Sequence, residues 1–537
     1  MRASSMLIAL LGAVPVFSID LPTGSDAPFH KIVNDKTCII GNSVWDATLS
    51  GSYARPIYYN GKDIVDDATG FYLSYVNNNG FPWLAPEIVD AGNDWIDVQF
   101  TNDIARFHWV IHRGFAGAYQ YWSNQRDFHS GHTYRKDGKL PTWDLYYSGT
   151  EVQDSTVQFS DGTYVSKYDW ATHINIPEAK LWGVYGDDVG CWFIQPSQEY
   201  LNGDQLKQEL TVHMEAQTGD TALLNMIGGE PWLWYLNDGS LSDAESRTEK
   251  EISAWPYAFP NADISAEYQS RAGSVTGRII TSDSRAGDTL SVFLGDNNDD
   301  EFTLNQYAGY HYRTTTDSKG YFTFDNVRTG EYGLFAWPGE GSSLGDITTN
   351  FTHFDIAITK KDKIDLGTYT WEVQNRTKIW QIGTLDRLPC EFAGGCGPYG
   401  HALTDDAPAD LTYTIGSSKA EYWHYVLSNN GAWAINFKLN NEPVVGASAR
   451  LTVSLAAYAA RCYMDIMANG VVIGHIRSMA SDSALYRSST VAGVWRFLEY
   501  TIKPGTPKKC SNSIKFTTTT TEKWKGAMWD TILLEWE

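Results

Sequence analysis

The chain has 537 residues, of which 42% are hydrophobic and 20% charged, so it is too apolar to be disordered. It is also too long for one ordinary core, and we expect about three domains. The formal net charge of −23 at pH 7 argues against binding the phosphate backbone of a nucleic acid. It does not exclude an acidic polysaccharide, because salt screens the global field and a local group of Arg and Lys decides the contact.

Residues 1–18 have the pattern of a secretory signal peptide: Arg2, then an apolar run over 6–17, then Val16-Phe17-Ser18 as the cleavage site. The run is short for a bilayer, and no later segment is long and apolar enough to span one. We therefore predict a secreted, extracellular protein with no membrane contact.

The cysteines are even in number and widely spaced, which in a secreted chain predicts a few disulfides. They are Cys38, Cys191, Cys390, Cys396, Cys462 and Cys510. Cys390 and Cys396 are the expected local pair, and a metal site is less favoured because no His follows at ligand spacing. Asn350 and Asn375 each begin an Asn-x-Thr sequon, so both are predicted glycosylation sites.

Aromatic residues make up 14% of the chain, with 21 Trp and 31 Tyr beside 47 Gly. This combination favours all-β domains, whose pleated faces accept aromatic side chains and whose turns need glycine. It also fits sugar binding, because the apolar face of a pyranose packs on an aromatic ring. A Trp-rich core is the simpler interpretation, and composition leaves both open.

Alternation of apolar and polar residues predicts antiparallel strands in the first half of the chain. Trp95–Phe100 and Arg106–His112 each alternate, which predicts half-buried strands. The pattern continues through Cys191–Ile194 and Leu210–Met214, and no stretch forms a convincing amphipathic helix. We predict one large β-sandwich domain over residues 19–268.

A domain boundary is predicted near Arg271–Gly277. Residues 269–372 are predicted to form a small sandwich that resembles the fibronectin-III-like or carboxypeptidase-regulatory fold. Its turns and its strand at Tyr321–Phe324 follow in quick succession. The run Asp296–Asp300 is interpreted as a solvated loop, because no bidentate Glu follows at the offset that a calcium loop requires.

Residues 373–537 are predicted to form a jelly-roll sandwich of the carbohydrate-binding type. Asn469-Gly470, between two apolar runs, is the strongest short hairpin signal in the chain. The threonines Thr517–Thr521 are interpreted as strand or loop, and the tail Asp530–Trp536 as a last strand.

Lys167 lies among aromatic residues in Tyr164–Trp170, on a predicted short strand. Burial against rings lowers the pKa of a lysine toward the range in which it exchanges protons at working pH. Most lysines on strands instead keep the charged head in water and lay the stem over an apolar surface. From these residues alone the solvated interpretation is favoured.

Seven short segments occur in one order along the chain. They are Gly117-Ala-Tyr-Gln-Tyr-Trp-Ser-Asn, Val152-Gln-Asp-Ser-Thr, Ser166-Lys-Tyr-Asp-Trp, Gln198-Glu-Tyr-Leu-Asn-Gly, Pro231-Trp-Leu-Trp-Tyr-Leu-Asn-Asp-Gly, Trp255-Pro-Tyr-Ala-Phe-Pro and Trp380-Gln-Ile-Gly. Together they resemble the secreted fungal rhamnogalacturonan lyases of polysaccharide lyase family 4, in their rhamnogalacturonate lyase C form. The resemblance implies an all-β plan: a galactose-mutarotase-like β-sandwich, a fibronectin-III-like domain and a jelly-roll carbohydrate-binding-like domain.

The resemblance also implies cleavage of the rhamnose-galacturonate bond of rhamnogalacturonan I by β-elimination, in a monomer that needs no catalytic cofactor and at most a structural calcium ion. In the family a lysine and a histidine share the acid and base work, and two arginines hold the substrate. Lys167 matches the family lysine, and Tyr168 and Trp170 follow it as substrate-binding candidates. Proton abstraction beside a uronate needs a near-neutral base and positive charge, and no pair of carboxylates.

Two segments depart from the family pattern. After Leu223–Gly229 the family has a Gly-x-His-aromatic segment, whereas this chain continues directly into Glu230-Pro-Trp. After Asn124 the expected run with two arginines is replaced by Gln125–His132, in which Arg126 supplies one charge.

Three other histidines are weaker candidates for the missing one. His213 is more simply interpreted as a structural residue of a strand, and His129 and His132 belong to the replaced segment. The departures leave two alternatives to an active lyase: a catalytically impaired, pectin-binding relative, or a gene model that lacks two coding segments.

Overall fold

The computed structural model describes most of residues 19–537. The described residues are 19–537 except 66–69, 76–78, 103–105, 124–127, 136–148, 154–155, 163, 167–179, 198, 200–211, 218–220, 228–230, 260–265, 267, 298–309, 397–406, 429, 460, 478, 480–484, 486–492 and 521–524. The predicted signal peptide therefore lies outside them.

Residues 29–254 contain a series of antiparallel strands followed by one helix, in the described part of the chain. The elements are β1 (Phe29–Asn34), β2 (Thr37–Gly41), β3 (Trp45–Ser50), β4 (Tyr53–Tyr59), β5 (Lys62–Asp63), β6 (Gly70–Tyr75), β7 (Asn79–Gly80), β8 (Glu87–Ala91), β9 (Trp95–Thr101), β10 (Arg106–His112), β11 (Gly117–Ser123), β12 (Phe128–Arg135), β13 (Thr150–Gln153), β14 (Thr156–Gln158), β15 (Tyr164–Ser166), β16 (Leu181–Tyr185), β17 (Gly190–Ile194), β18 (Val212–Gln217), β19 (Thr221–Ile227), β20 (Trp232–Asn237) and α1 (Leu241–Ala254).

These strands form two large sheets that pack face to face and a small third sheet. The ten-stranded sheet has the order β1-β2-β3-β4-β6-β12-β19-β18, with β5 and β7 paired to β4 and β6. The seven-stranded sheet has the order β16-β17-β20-β11-β10-β9-β8, and β13, β14 and β15 form the third. The predicted all-β sandwich is confirmed.

Aromatic side chains fill the space between the two large sheets. Trp45 lies edge-on to Trp234 with ring centroids 4.8 Å apart, and Trp109 contacts both Phe71 and Trp83. All five side chains are buried. Alternate residues of β3 enter this core, while the residues between them face the other side of the ten-stranded sheet.

The outer face of the seven-stranded sheet is covered as well. Tyr257 and Phe259, which follow α1, pack with Val110 and Tyr121 in a second buried cluster. The prediction that β10 is half-buried is therefore wrong, because both faces of its middle part are buried. In β9, by contrast, Trp95, Gln99 and Thr101 on the outer face stay partly exposed.

The expectation of no helix in this part of the chain is also wrong. Helix α1 begins after Ser240, whose side chain accepts a hydrogen bond of 3.2 Å from the Asp243 amide. Its buried stripe consists of Ala244, Thr248 and Glu251. Two of these three residues are polar, so the helical face does not show in the apolar pattern.

Residues 271–371 form a smaller two-sheet sandwich. Its strands are β21 (Arg271–Thr281), β22 (Leu290–Gly295), β23 (Tyr312–Thr315), β24 (Tyr321–Arg328), β25 (Gly330–Pro338), β26 (Phe351–Ile358) and β27 (Lys363–Trp371). The sheets have the orders β24-β21-β27 and β23-β22-β25-β26. The strand predicted at Tyr321–Phe324 is confirmed, and the turn before it is fixed by Asp317, whose carboxylate accepts from the amides of Lys319 and Tyr321.

Residues 377–536 form a third sandwich of two five-stranded sheets. Its strands are β28 (Thr377–Gly383), β29 (Leu411–Thr414), β30 (Val426–Leu427), β31 (Gly431–Leu439), β32 (Ala449–Tyr458), β33 (Tyr463–Ala468), β34 (Val471–Ile476), β35 (Arg496–Ile502), β36 (Cys510–Thr520) and β37 (Ala527–Trp536). Asn469 and Gly470 have φ angles of 48° and 80°, as a tight hairpin turn between β33 and β34 requires. The hairpin and the C-terminal strand are confirmed.

One disulfide joins Cys390 to Cys396, as predicted. The expectation of a few disulfides is otherwise wrong, because the remaining cysteines form no disulfide: Cys38, Cys191 and Cys462 are buried and Cys510 is exposed. Burial raises the pKa of Cys38 and of Cys462 to about 12. Cys38 and Cys462 serve as small apolar residues in the cores of the first and third sandwiches.

Candidate functional site

The structure does not describe the residues that were predicted from the sequence to act in catalysis and substrate binding. Lys167, Tyr168 and Trp170 directly follow β15, which ends at Ser166, and Arg126 precedes β12. Their assignment stays a prediction. The asparagines of the two sequons, Asn350 and Asn375, are described and exposed.

The ten-stranded sheet has a face that the core does not use. Strand pairing aligns Tyr53 with Tyr72, Tyr72 with Gly131, Gly131 with Asn225, and Asn225 with His213. Residues that are paired across adjacent strands share a face of the sheet. Since strands lie about 4.8 Å apart, this row extends over about 19 Å. We call it the open-face row.

The register separates the three histidines that the sequence left as weaker candidates. Phe71, which belongs to the core, pairs with His132, so position 132 is on the core side. Position 129 is two residues from Gly131 on the same strand and therefore shares the face of the open-face row with His213. The backbone thus brings positions 129 and 213 to one side of the sheet and excludes position 132.

The described side chains at one end of the open-face row form an aromatic and cationic patch. The Tyr53 ring lies 6.1 Å from the Tyr72 ring in an edge-on arrangement, and the Arg55 guanidinium lies 5.7 Å over the Tyr53 ring. Tyr53 is 42% exposed and Arg55 is exposed as well. Sequence analysis missed these residues. The alternation of exposed Tyr53 and Arg55 with buried Ala54 was a local signal, but their partner on β6 could not be known.

A cluster of ionisable side chains lies on the seven-stranded sheet, on the face that points away from the core between the two sheets. His108 Nδ1 is 3.0 Å from Asp97 Oδ1, and the Tyr121 hydroxyl donates to Asp97 Oδ2 over 2.7 Å. Burial, and then Asp97, raise the pKa of Tyr121 far above its ordinary value. His108 and Asp97 are 1% and 0% exposed, so no polysaccharide reaches them. The cluster satisfies buried polar groups beneath Phe259.

A buried ion pair joins the first sandwich to the second. The two terminal guanidinium nitrogens of Arg271, Nη1 and Nη2, donate to the Glu199 carboxylate over 2.6 and 2.7 Å, and the Tyr312 hydroxyl donates to it over 3.1 Å. The Arg271 guanidinium also lies 4.9 Å over the Trp255 ring and 4.5 Å over that of Tyr268. Glu199 belongs to one of the seven segments that carry the resemblance, and its role here is to hold two units together.

Within the described residues, no group of three or more His, Cys, Asp or Glu side chains is arranged to hold a metal ion. In the same part of the chain, no helix is long and apolar enough to span a bilayer.

Comparisons with known families place the second and third sandwiches together. Residues 272–366 match polysaccharide lyase family 4, domain II, and residues 378–534 match polysaccharide lyase family 4, domain III. The two matches are consecutive domains of one family in family order. The second and third sandwiches are therefore similar to domains II and III of that family.

Similarity to one relative also covers the first sandwich. The chain is 26% identical to a rhamnogalacturonate lyase of Dickeya dadantii (strain 3937), over 86% of this chain and 87% of the relative.

Solved structures resemble the chain only weakly. A glycoside hydrolase family 81 protein from Clostridium thermocellum is 10% identical over 59% of this chain and 35% of its own, with a TM-score of 0.24. A CBM36-1 domain of a xylanase from the hindgut metagenome of Trinervitermes trinervoides is 14% identical over 21% of this chain and 85% of its own, with a TM-score of 0.14. Scores this low carry no argument about the fold or the site.

Proposed function

We propose that the protein is a pectin-degrading polysaccharide lyase that cleaves the rhamnose-galacturonate bond of rhamnogalacturonan I by β-elimination. The observation that carries the proposal is the similarity to a rhamnogalacturonate lyase over most of both chains, together with the two family 4 domain matches. Within the family, the seven segments favour the fungal rhamnogalacturonate lyase C form.

The proposed reaction assigns the base to Lys167. Its neutral amine removes the proton at C5 of the galacturonate, the electrons form the C4–C5 double bond, and the C4–O bond to rhamnose breaks. Positive charge near the uronate carboxylate stabilises the enolate-like intermediate, and Arg126 is the nominated source. The leaving oxygen takes a proton from a side chain or a water molecule on the opposite side of the sugar ring. A structural calcium ion stays a prediction.

The test is incubation of the purified chain with deacetylated rhamnogalacturonan I. An unsaturated uronate absorbs in the ultraviolet, so the wild-type chain should give a steadily rising absorbance. Lys167→Ala should abolish it, whereas Lys360→Ala, which removes an exposed lysine of the second sandwich, should not. Unchanged activity of Lys167→Ala would remove Lys167 from the active site.

The second candidate is a catalytically impaired protein that binds pectin. It is favoured by the direct passage from Gly229 to Glu230-Pro-Trp, where the family pattern has a histidine. Retained binding without any ultraviolet product from the wild-type chain would favour this candidate and reject the lyase.

We also propose that the protein is secreted as a monomer after removal of residues 1–18 and that Asn350 and Asn375 carry glycans. N-terminal sequencing of the exported chain tests the cleavage, and a glycosidase-sensitive change in mass tests the glycans.

A further inference from the structure

One end of the open-face row carries the exposed ring of Tyr53 and the partly exposed ring of Tyr72. Tyr53 and Tyr72 occupy paired positions on β4 and β6, and their rings meet at 6.1 Å. A tyrosine offers an apolar face for a sugar ring and a hydroxyl that hydrogen-bonds to sugar hydroxyls. Two such rings on adjacent strands give a rigid platform, because the strands fix the spacing of the side chains.

Arg55 adds positive charge to this platform in a chain whose net charge is −23. It is exposed and lies two residues from Tyr53 on the same face of β4. On the neighbouring strand the position beside it is Gly70, where an added Cβ would lie 2.4 Å from the Ala54 carbonyl oxygen and 3.0 Å from Arg55 Cβ. Gly70 also has a φ of +75°, so no side chain fits beside Arg55. The fork of a guanidinium matches the two oxygens of a carboxylate.

Gly131 interrupts the row next to the platform. It lies in the middle of β12, between Tyr72 on β6 and Asn225 on β19. A glycine inside a strand weakens the sheet and often marks a place where a ligand approaches the backbone closely. It therefore adds no side chain to the row between the positions of Tyr72 and Asn225, which are two strand spacings, or about 10 Å, apart.

We propose that Tyr53, Tyr72 and Arg55 form a subsite for a uronate-bearing sugar chain, which crosses the sheet over Gly131. A sugar ring stacks on the tyrosine platform, and the carboxylate of a galacturonate pairs with Arg55. The occupant is the backbone of rhamnogalacturonan, so the inference rests on the proposed function and names where part of that substrate lies.

The chain contains a matched control for this patch on a different sandwich. Tyr321 on β24 is 51% exposed, and the Arg278 guanidinium lies 5.0 Å over its ring. The pair reproduces the contact of the Arg55 guanidinium with the Tyr53 ring on a different sandwich. Tyr321→Ala and Arg278→Gln therefore control for the loss of an exposed ring and of a partly exposed charge.

The experiment measures the affinity of the full chain for fragments of rhamnogalacturonan I by isothermal titration calorimetry. The titration is run at low temperature, so that cleavage of the fragments is slow. Its probes are native fragments, the same fragments with their carboxyl groups reduced, and a neutral galactan. We expect Tyr72→Ala and Arg55→Gln each to weaken binding of native fragments about tenfold, as truncation of a binding hot spot does. Tyr72→Phe should keep the affinity within about twofold, and both control variants should match the wild type.

The carboxyl-reduced fragments test the role assigned to Arg55. The wild type should bind them about tenfold more weakly than native fragments, and Arg55→Gln should lose this preference. The subsite is rejected if the variants bind like the wild type while their thermal unfolding is unchanged, if the control variants lose as much affinity, or if galactan binds as well as the native fragments. Wild-type binding that depends on Tyr72 and Arg55, without any unsaturated product, would reject the lyase and leave the subsite standing.

Discussion

Arg271→Met should strongly destabilise the joint between the first and second sandwiches. The substitution keeps a long apolar stem but leaves the Glu199 carboxylate, which is 3% exposed, without its bidentate partner. Removing one member of a buried ion pair costs about 3–5 kcal/mol, because the remaining charge is desolvated and unpaired. The hydrogen bond from Tyr312 remains and cannot neutralise that charge.

The assay is thermal and urea unfolding of the full chain, followed by intrinsic fluorescence. A loss of this size should lower the midpoint of the transition that involves the first sandwich by about 10 °C. Because several units unfold, that transition is analysed separately from the others. Lys62→Met is the control, since it breaks a pair with Asp188 in which the side chains are 62% and 45% exposed, and it should cost less than about 1 kcal/mol.

A double variant separates the pair from packing. Arg271→Met combined with Glu199→Gln removes both charges, so it should be less destabilised than the sum of the two single variants. A loss below about 1 kcal/mol for Arg271→Met, or strict additivity of the two substitutions, would refute the buried ion pair as the joint.

Two further predictions concern the third sandwich. Burial, and then Asp530 and Glu391, raise the pKa of Asp386, whose Oδ2 is buried without a hydrogen-bond partner. The folded state therefore holds a proton that the unfolded state releases near pH 4, so this stability is complete in acid and is lost as the pH rises through the raised pKa. Asp386→Asn should gain stability relative to wild type between pH 5 and pH 8 in urea unfolding, and an identical pH dependence would contradict the assignment. Replacing Cys390 and Cys396 by Ser should cost about 2 kcal/mol, as expected for a short closed loop, whereas Cys510→Ser should leave the unfolding midpoint unchanged.

The sequence predicted the strands because their signal is local. The alternation in Arg106–His112 and the turn residues Asn469-Gly470 report the pleat and the hairpin directly. It did not predict that β10 is covered on its second face, because that depends on where Tyr257 and Phe259, which are distant in sequence, pack against the sheet. The helix itself was missed because its buried stripe ends in Glu251, which is satisfied by the hydroxyls of Tyr119 and Tyr257.

The candidate site was harder to predict than the fold for the same physical reason. A row across a sheet is made of residues that are distant in sequence, such as Tyr53, Gly131 and His213, and their alignment is set by strand order and register. No local pattern contains that information. The resemblance instead nominated Lys167 from a local segment, and its predicted place in the active site awaits the elimination assay.

The aromatic residues fall into two groups, buried tryptophans that form the cores and exposed tyrosines that are available to a ligand. The composition left open whether the many Trp form a core or bind sugars, and the largest fully buried side chains include Trp45, Trp83, Trp109, Trp232, Trp234, Trp423, Trp433 and Trp529. The aromatic side chains that are exposed in the described part of the chain are mainly tyrosines, with one Phe and no Trp: Phe29, Tyr53, Tyr58, Tyr185, Tyr321 and Tyr422. Tyrosine tolerates solvent because its hydroxyl stays hydrated while its ring stays available. Sugar stacking in the described residues should therefore depend on tyrosines, which is why Tyr72→Ala and Tyr72→Phe, and not a tryptophan scan, discriminate a binding surface from a core.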